Sequence, residues 1–219
     1  MTRVSLGDQF RRGLALLRED GDYRTFVLAR LALVPPEWVT PFYVVYAKEQ
    51  LGVAPQLIGV YLAARTIAGI LSNFLWSWLS DRHGNRAVVQ ASAALGLTVP
   101  LVVLVVGVAG PALGLSEAVL GYGFVLVFAA LGAFESGNLI AGISYLLDIV
   151  PEAKRPLYLG FNSTLFGIAR FSALASGFFI DWFGFTIMVV AAAGFYLLAN
   201  GLAMGLVDPR ERLRAAKTG

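Results

Sequence analysis

The sequence predicts an all-α, polytopic membrane protein of six transmembrane helices, and three observations predict it. Of 219 residues, 58% are hydrophobic and only 14% are charged. Counting Gly and leaving out Tyr, the apolar share is roughly 65%, against about 45–50% apolar and about 25% charged in a soluble domain. A globule of this size cannot hide that much apolar surface. Stretches approaching the roughly 20 residues that cross a bilayer recur six times. Lys and Arg gather in every second connection between them. The strict apolar–polar alternation of a membrane barrel is absent, so the spans are helices, which satisfy their own backbone polar groups in lipid.

The same composition excludes several classes. Disordered chains are polar and highly charged. The chain has no Cys, which removes disulfides, thiolate metal sites and a cysteine nucleophile. Its single His, His83, removes a multi-histidine metal centre. The net charge of +3 is no argument for nucleic acid, because no basic stripe interleaved with aromatics is present.

The elements follow in order. Residues 1–24 form a leader with five Arg (Arg3, Arg11, Arg12, Arg18 and Arg24). Leu6, Phe10, Leu14 and Leu17 recur at helical spacing there, which predicts an amphipathic helix at the cytoplasmic interface. The leader lacks the apolar run of a cleavable signal. The transmembrane domain covers 25–207, with spans at 25–46, 56–80, 87–108, 118–150, 157–180 and 185–207. Pro35, Pro36 and Pro41 interrupt the first span beside Glu37, since each interior proline removes a backbone bond and crowds the preceding turn. Pro100 predicts a bend in the third. Residues 208–219 form a basic tail.

Leader, second loop, fourth loop and tail hold thirteen Lys and Arg, whereas the other three loops hold Lys48 alone. This asymmetry puts both termini in the cytoplasm and predicts a plasma (inner) membrane protein.

Four ionisable residues fall near mid-span: Glu37, Arg65, Glu135 and Arg170. Insertion scales assign about 2.5–3.5 kcal/mol to such a charge, so two acids and two bases are expected to pair and to face a bundle interior or wet cavity. Polar stripes agree with that. Tyr61, Arg65, Gly69, Ser72, Asn73 and Trp76 share a face of the second span. Glu135, Asn138, Gly142, Tyr145 and Asp148 form a stripe in the fourth, and Asn162, Phe166, Arg170, Ala173 and Gly177 in the fifth. Arg30 lies on the Glu37 face nearer the cytoplasm and is expected to snorkel outward. Glu37, Arg65, Glu135, Asn138 and Arg170 are the candidate solute or proton pathway; purely structural Glu–Arg pairs are the alternative. A carboxylate in low dielectric has a raised pKa, which suits Glu37 or Glu135 to carrying a proton. Small residues at four-residue steps (Ala64, Ala68 and Ser72; Ser163 and Gly167; Ala173 and Gly177; Gly201 and Gly205) predict close helix approach.

The loop Ser77-Trp78-Leu79-Ser80-Asp81-Arg82-His83-Gly84-Asn85-Arg86 resembles the signature of the major facilitator superfamily, Gly-x-x-x-Asp-Arg-x-Gly-x-Arg/Lys, found between the second and third helices of each six-helix half. Asp81, Arg82, Gly84 and Arg86 match, and Ser77 stands at the first Gly. The link Pro151-Glu152-Ala153-Lys154-Arg155-Pro156 also looks like the family's. The resemblance covers about 25–207 and implies one half, the C-terminal one by its basic leader, of a bundle that moves a small solute by alternating access. It further implies a cytoplasmic gate at Asp81, Arg82, Gly84 and Arg86.

The predicted function is therefore secondary active transport, with proton coupling if Glu37 or Glu135 titrates. The alternative is a non-transporting scaffold, or a truncated half that needs a partner half. An enzyme is not predicted: no catalytic constellation, metal set or cofactor motif is present. Expected partners are membrane lipid, a small solute, and a homodimer or second six-helix half.

Overall fold

The computed structural model describes residues 6–209, the side chains of 6–10 and 12 excepted. Every regular element among them is helical. Helix α1 (Leu6–Glu19) is the leader helix. Of the apolar stripe, Leu17 packs against the bundle and Leu14 is exposed, while Leu16 is buried and Gly13 sits against the Phe161 ring. Leu6, Phe10 and Arg12 fall outside the described side chains; Arg3, Arg210, Arg212, Arg214 and Lys217 fall outside the described residues. Asp20 then caps α2 (Gly21–Leu31) by accepting from the backbone N–H groups of Asp22 and Tyr23 at 3.1 and 3.0 Å.

The first span is interrupted beside Glu37, where its prolines lie. It consists of α2, α3 (Val34–Glu37) and α4 (Thr40–Glu49). The cause is local. Pro35, Pro36 and Pro41 have no N–H to offer the carbonyls of Leu31, Ala32 and Glu37. The chain closes short turns instead, Leu33 to Arg30 at 3.1 Å and Trp38 to Pro35 at 3.0 Å.

Among the described residues, five spans are each long and apolar enough to cross a membrane: Gln56–His83, Asn85–Ala112, Glu117–Ile149, Glu152–Phe183 and Phe185–Met204. The first is α5 (Gln56–His83). The second joins α6 (Asn85–Val102), a π-helical stretch (Val103–Ala109) and α7 (Gly110–Ala112). Pro100 lies just ahead of the π-helical stretch, as a missing backbone donor favours. The third is α8 (Glu117–Ile149). The fourth joins α9 (Arg155–Phe171), a 3₁₀ turn (Ser172–Ala175) and α10 (Ser176–Phe183). The fifth is α11 (Phe185–Met204).

Helix α8 is central and packs along α5 and α6, while α11 closes the other side of α6 against α2 and α3. Two apolar cores result, one toward each end of the helices. Tyr43, Tyr61, Phe124, Phe128, Val189 and Tyr196 belong to the first. Tyr23, Phe26, Trp76, Val88, Tyr145 and Phe161 belong to the second. Many large apolar side chains point outward, among them Phe74, Leu126 and Leu197, as lipid contact requires.

Small residues act where helices touch most closely, mostly at positions the stripes did not mark. A Cβ on Gly132 would overlap the Arg65 carbonyl, and one on Gly137 would meet Trp76. Gly167, Gly177 and Gly201, expected in contacts, have open space around them. Gly132→Ala should therefore push α5 from α8 and cost about 1–3 kcal/mol, or about 2–4 °C per kcal/mol in thermal unfolding in micelles. Gly167→Ala should leave the midpoint unchanged or slightly raised.

Candidate functional site

The waist between the two cores carries the charge. In α8, Phe134 closes one core and Ala141 opens the other, and Glu135 and Asn138 lie between them. In α5, Arg65 lies between Tyr61 and Trp76 in the same way. Glu37 ends the α3 turn that the prolines create, and Arg170 lies in the last turn of α9, ahead of the 3₁₀ break. Chain breaks thus flank one ion pair, and an unbroken helix crossing carries the other.

Both pairs are forked. Arg65 donates from Nε to Glu135 Oε2 at 2.9 Å and from Nη2 to Oε1 at 2.6 Å. Arg170 donates from Nε to Glu37 Oε2 at 3.2 Å and from Nη2 to Oε1 at 3.3 Å. The planar guanidinium matches a carboxylate in this geometry and fixes both side chains. Neither pair is sealed: the side chains are 37% and 40% exposed in the first pair, 56% and 37% in the second.

All five expected pathway residues, Glu37, Arg65, Glu135, Asn138 and Arg170, line one cavity of about 610 Å³. Arg30, Thr40, Phe134 and Tyr196 line it too, and sequence reasoning did not place them there. Beside it, a hollow of about 700 Å³ shares Arg65 and Glu135 and adds Asn73 and Ser136, whose hydroxyl donates to Asn73 Oδ1.

The stripes are only partly cavity faces. Tyr61, Ser72 and Trp76 are buried against α8: Tyr61 donates to Gly121 O at 3.0 Å and Trp76 to Ala133 O at 3.0 Å. A polar rim on an apolar ring satisfies the same pattern by packing. In α8, Gly142 meets the Arg30 guanidinium, Tyr145 donates to Val207 O at 2.9 Å and Asp148 accepts from Asn85 Nδ2 at 2.7 Å. Arg30 does not snorkel outward. It lies between the Phe26 and Phe166 rings, 5.9 and 5.2 Å from their centroids.

The residues of the expected gate, Asp81, Arg82, Gly84 and Arg86, lie where α5 ends and α6 begins. Gly84 alone separates α5 from α6 and has φ +86°, a backbone that glycine adopts without strain. Its N–H donates to Ser80 O at 2.8 Å. Asp81 and Arg82 are exposed on the last turn of α5, with the Arg82 guanidinium 5.9 Å from the Trp78 ring centre. Arg86 donates to Met204 O at 3.4 Å at the end of α11. Asn85, which the motif leaves as a variable position, makes the cross-link to α8, and its Oδ1 accepts from Ser80 Oγ at 2.6 Å.

Apolar helices packed round a charged, open waist define an integral, multi-pass membrane protein. Residues 31–219 match the Major Facilitator Superfamily, and the chain belongs to that family. Two curated relatives, each named probable nitrate/nitrite transporter NarK2, come from Mycobacterium tuberculosis strains CDC 1551 / Oshkosh and ATCC 25618 / H37Rv. Each is 29% identical over 201 residues, covering 87% of this chain and 46% of the relative. The chain thus spans less than half the length of the curated relatives it matches. No solved structure matches significantly.

A double-mutant cycle tests the central pair. Arg65→Met and Glu135→Leu should each destabilise the fold by leaving one charge unpaired. The double variant should lose less than the two together, with a coupling of roughly 1 kcal/mol, kept modest by solvent screening at these exposed groups. Urea or thermal unfolding in micelles measures it; additive losses would show that the fork stabilises nothing.

Proposed function

We propose that this chain is a six-helix half of a secondary transporter that moves a small solute by alternating access through the charged waist. One observation carries the reading: Glu37, Arg65, Glu135, Asn138 and Arg170 come from four separate spans and share one cavity. Purely structural ion pairs would have no need of that open volume. The family and the relatives' names support transport and argue against an enzyme. Nitrate and nitrite, the solutes in those names, are the first to be assayed.

The second six-helix unit, or a second copy, belongs on the side of α5 and α9. Only 11% and 6% of the residues in the most apolar stretches of those two spans are buried, against 33–44% in the others. Arg65 and Arg170 sit on these same helices, and charged forks do not face acyl chains. The Lys and Arg asymmetry supports cytoplasmic termini, a plasma-membrane setting, and a cytoplasmic gate formed by Asp81, Arg82, Gly84 and Arg86 with Asn85 as its cross-link.

Glu135 carries the coupling proton in this reading. Protonation loosens its fork with Arg65, so proton binding is linked to the α5–α8 contact that the fork holds. Uptake into proteoliposomes under an imposed proton gradient tests it. Glu135→Gln should abolish gradient-driven uptake while the helical spectrum stays unchanged. Persistence of uptake with the same pH dependence would remove the proton role, and failure of the chain to move either anion in any oligomeric state would favour a scaffold.

A further inference from the structure

The waist cavity is not electrically balanced. Three guanidinium groups, of Arg30, Arg65 and Arg170, line it together with two carboxylates, of Glu37 and Glu135. With all five ionised, the lining carries one net positive charge. Both carboxylates are fully engaged, since each gives both oxygens to one arginine. Arg30 is left over. It is in no ion pair among the described residues, and no hydrogen bond found among them involves its guanidinium. Arg170 and Glu37 are its charged neighbours.

Its position is nevertheless built. The Phe26 and Phe166 rings flank it, and Gly142 on α8 leaves room where any Cβ would overlap the guanidinium. Ring faces attract a cation but accept few of its N–H bonds, so they hold the group in place while leaving donors unspent. Guanidinium groups match oxyanions through paired parallel hydrogen bonds. A membrane span does not carry a charge of this kind without something to complement it.

We propose that Arg30 is the primary binding group for a small monovalent oxyanion, held against the rings and Gly142, with the two forked pairs on the same cavity wall. This deepens the transport reading and rests on it, since it names the class of solute the cavity takes. Charge decides the valence. One negative charge neutralises the lining, whereas a divalent anion leaves one negative charge without a counter-charge at membrane depth. Neutralising Glu37 raises the lining charge by one and admits the divalent class.

Calorimetric titration of the full chain in phosphatidylcholine nanodiscs tests this, with formate and nitrate as monovalent oxyanions and sulfate as the divalent one. Wild type should bind the monovalent anions and take up sulfate far more weakly. Arg30→Gln should weaken monovalent binding by about tenfold or more, and Arg30→Lys should lie between the two. Gly142→Ala keeps the charge but displaces it, and should weaken binding like Arg30→Gln; it serves as the readout if Arg30→Gln does not fold. Glu37→Gln should bring sulfate affinity up to that of nitrate. Adding phosphatidylglycerol should leave formate affinity unchanged; competition by it would overturn a free-solute site in favour of a lipid phosphodiester. Monovalent affinity within about twofold of wild type in both Arg30→Gln and Gly142→Ala, or equal binding of sulfate and nitrate by wild type, overturns the proposal. Solute uptake that Glu135→Gln abolishes and Arg30→Gln leaves intact would overturn this site and leave the carrier reading standing.

Discussion

A charge at mid-membrane depth has to meet its opposite or meet water, and the waist of this bundle is organised around that requirement. The forks assign one arginine to each of the two least-buried spans and one carboxylate to the interior side of each pair. Arg65 on α5 reaches Glu135 on the central helix, and Arg170 on α9 reaches Glu37 on α3. For α9, which packs only lightly on its neighbours, the fork is a cross-bundle tether. Among the described residues, the apolar cores above and below contain no such pair.

The broken first span serves the same end. A continuous helix would hold Glu37 on a fixed stripe and bond its carbonyl within the helix. The proline turns release that carbonyl and let a short α3 set the carboxylate toward α9. Close backbone approach performs the matching task on the other side, where Gly132 seats α8 on the Arg65 turn of α5. One pair is thus positioned by disrupting a helix and the other by pressing two helices together.

Much of this was legible in the residues. Hydropathy located five spans within a few positions, and the cost of mid-span charge picked out five residues that do share a cavity. The leader helix was legible in period, and Leu17 of its stripe packs on the bundle, but the close seat of Gly13 on Phe161 was not, because it is set by α9 rather than by local hydrophobicity. Stripe reasoning failed where an aromatic has two roles: Tyr61 and Trp76 look like cavity residues but spend their single polar atoms on α8 carbonyls. The small-residue steps failed for a related reason. Spacing tells which residues share a face, and only the tertiary arrangement tells which face meets a neighbour. Arg30 was misplaced because snorkelling length alone was considered; the partners that hold it inward, Phe166 and Gly142, come from spans more than a hundred residues away.

The central claim is that the waist is a hydrated cavity rather than a buried clasp. Because the chain has no cysteine, accessibility can be measured one introduced thiol at a time. Asn138→Cys, Thr40→Cys and Leu139→Cys face the cavity, whereas Leu126→Cys and Leu197→Cys face outward from the same or neighbouring helices. Labelling in membrane vesicles with a charged, membrane-impermeant thiosulfonate should modify the first group and spare the second. A silent Asn138→Cys and Thr40→Cys, or equal labelling at Leu197→Cys, would contradict the account.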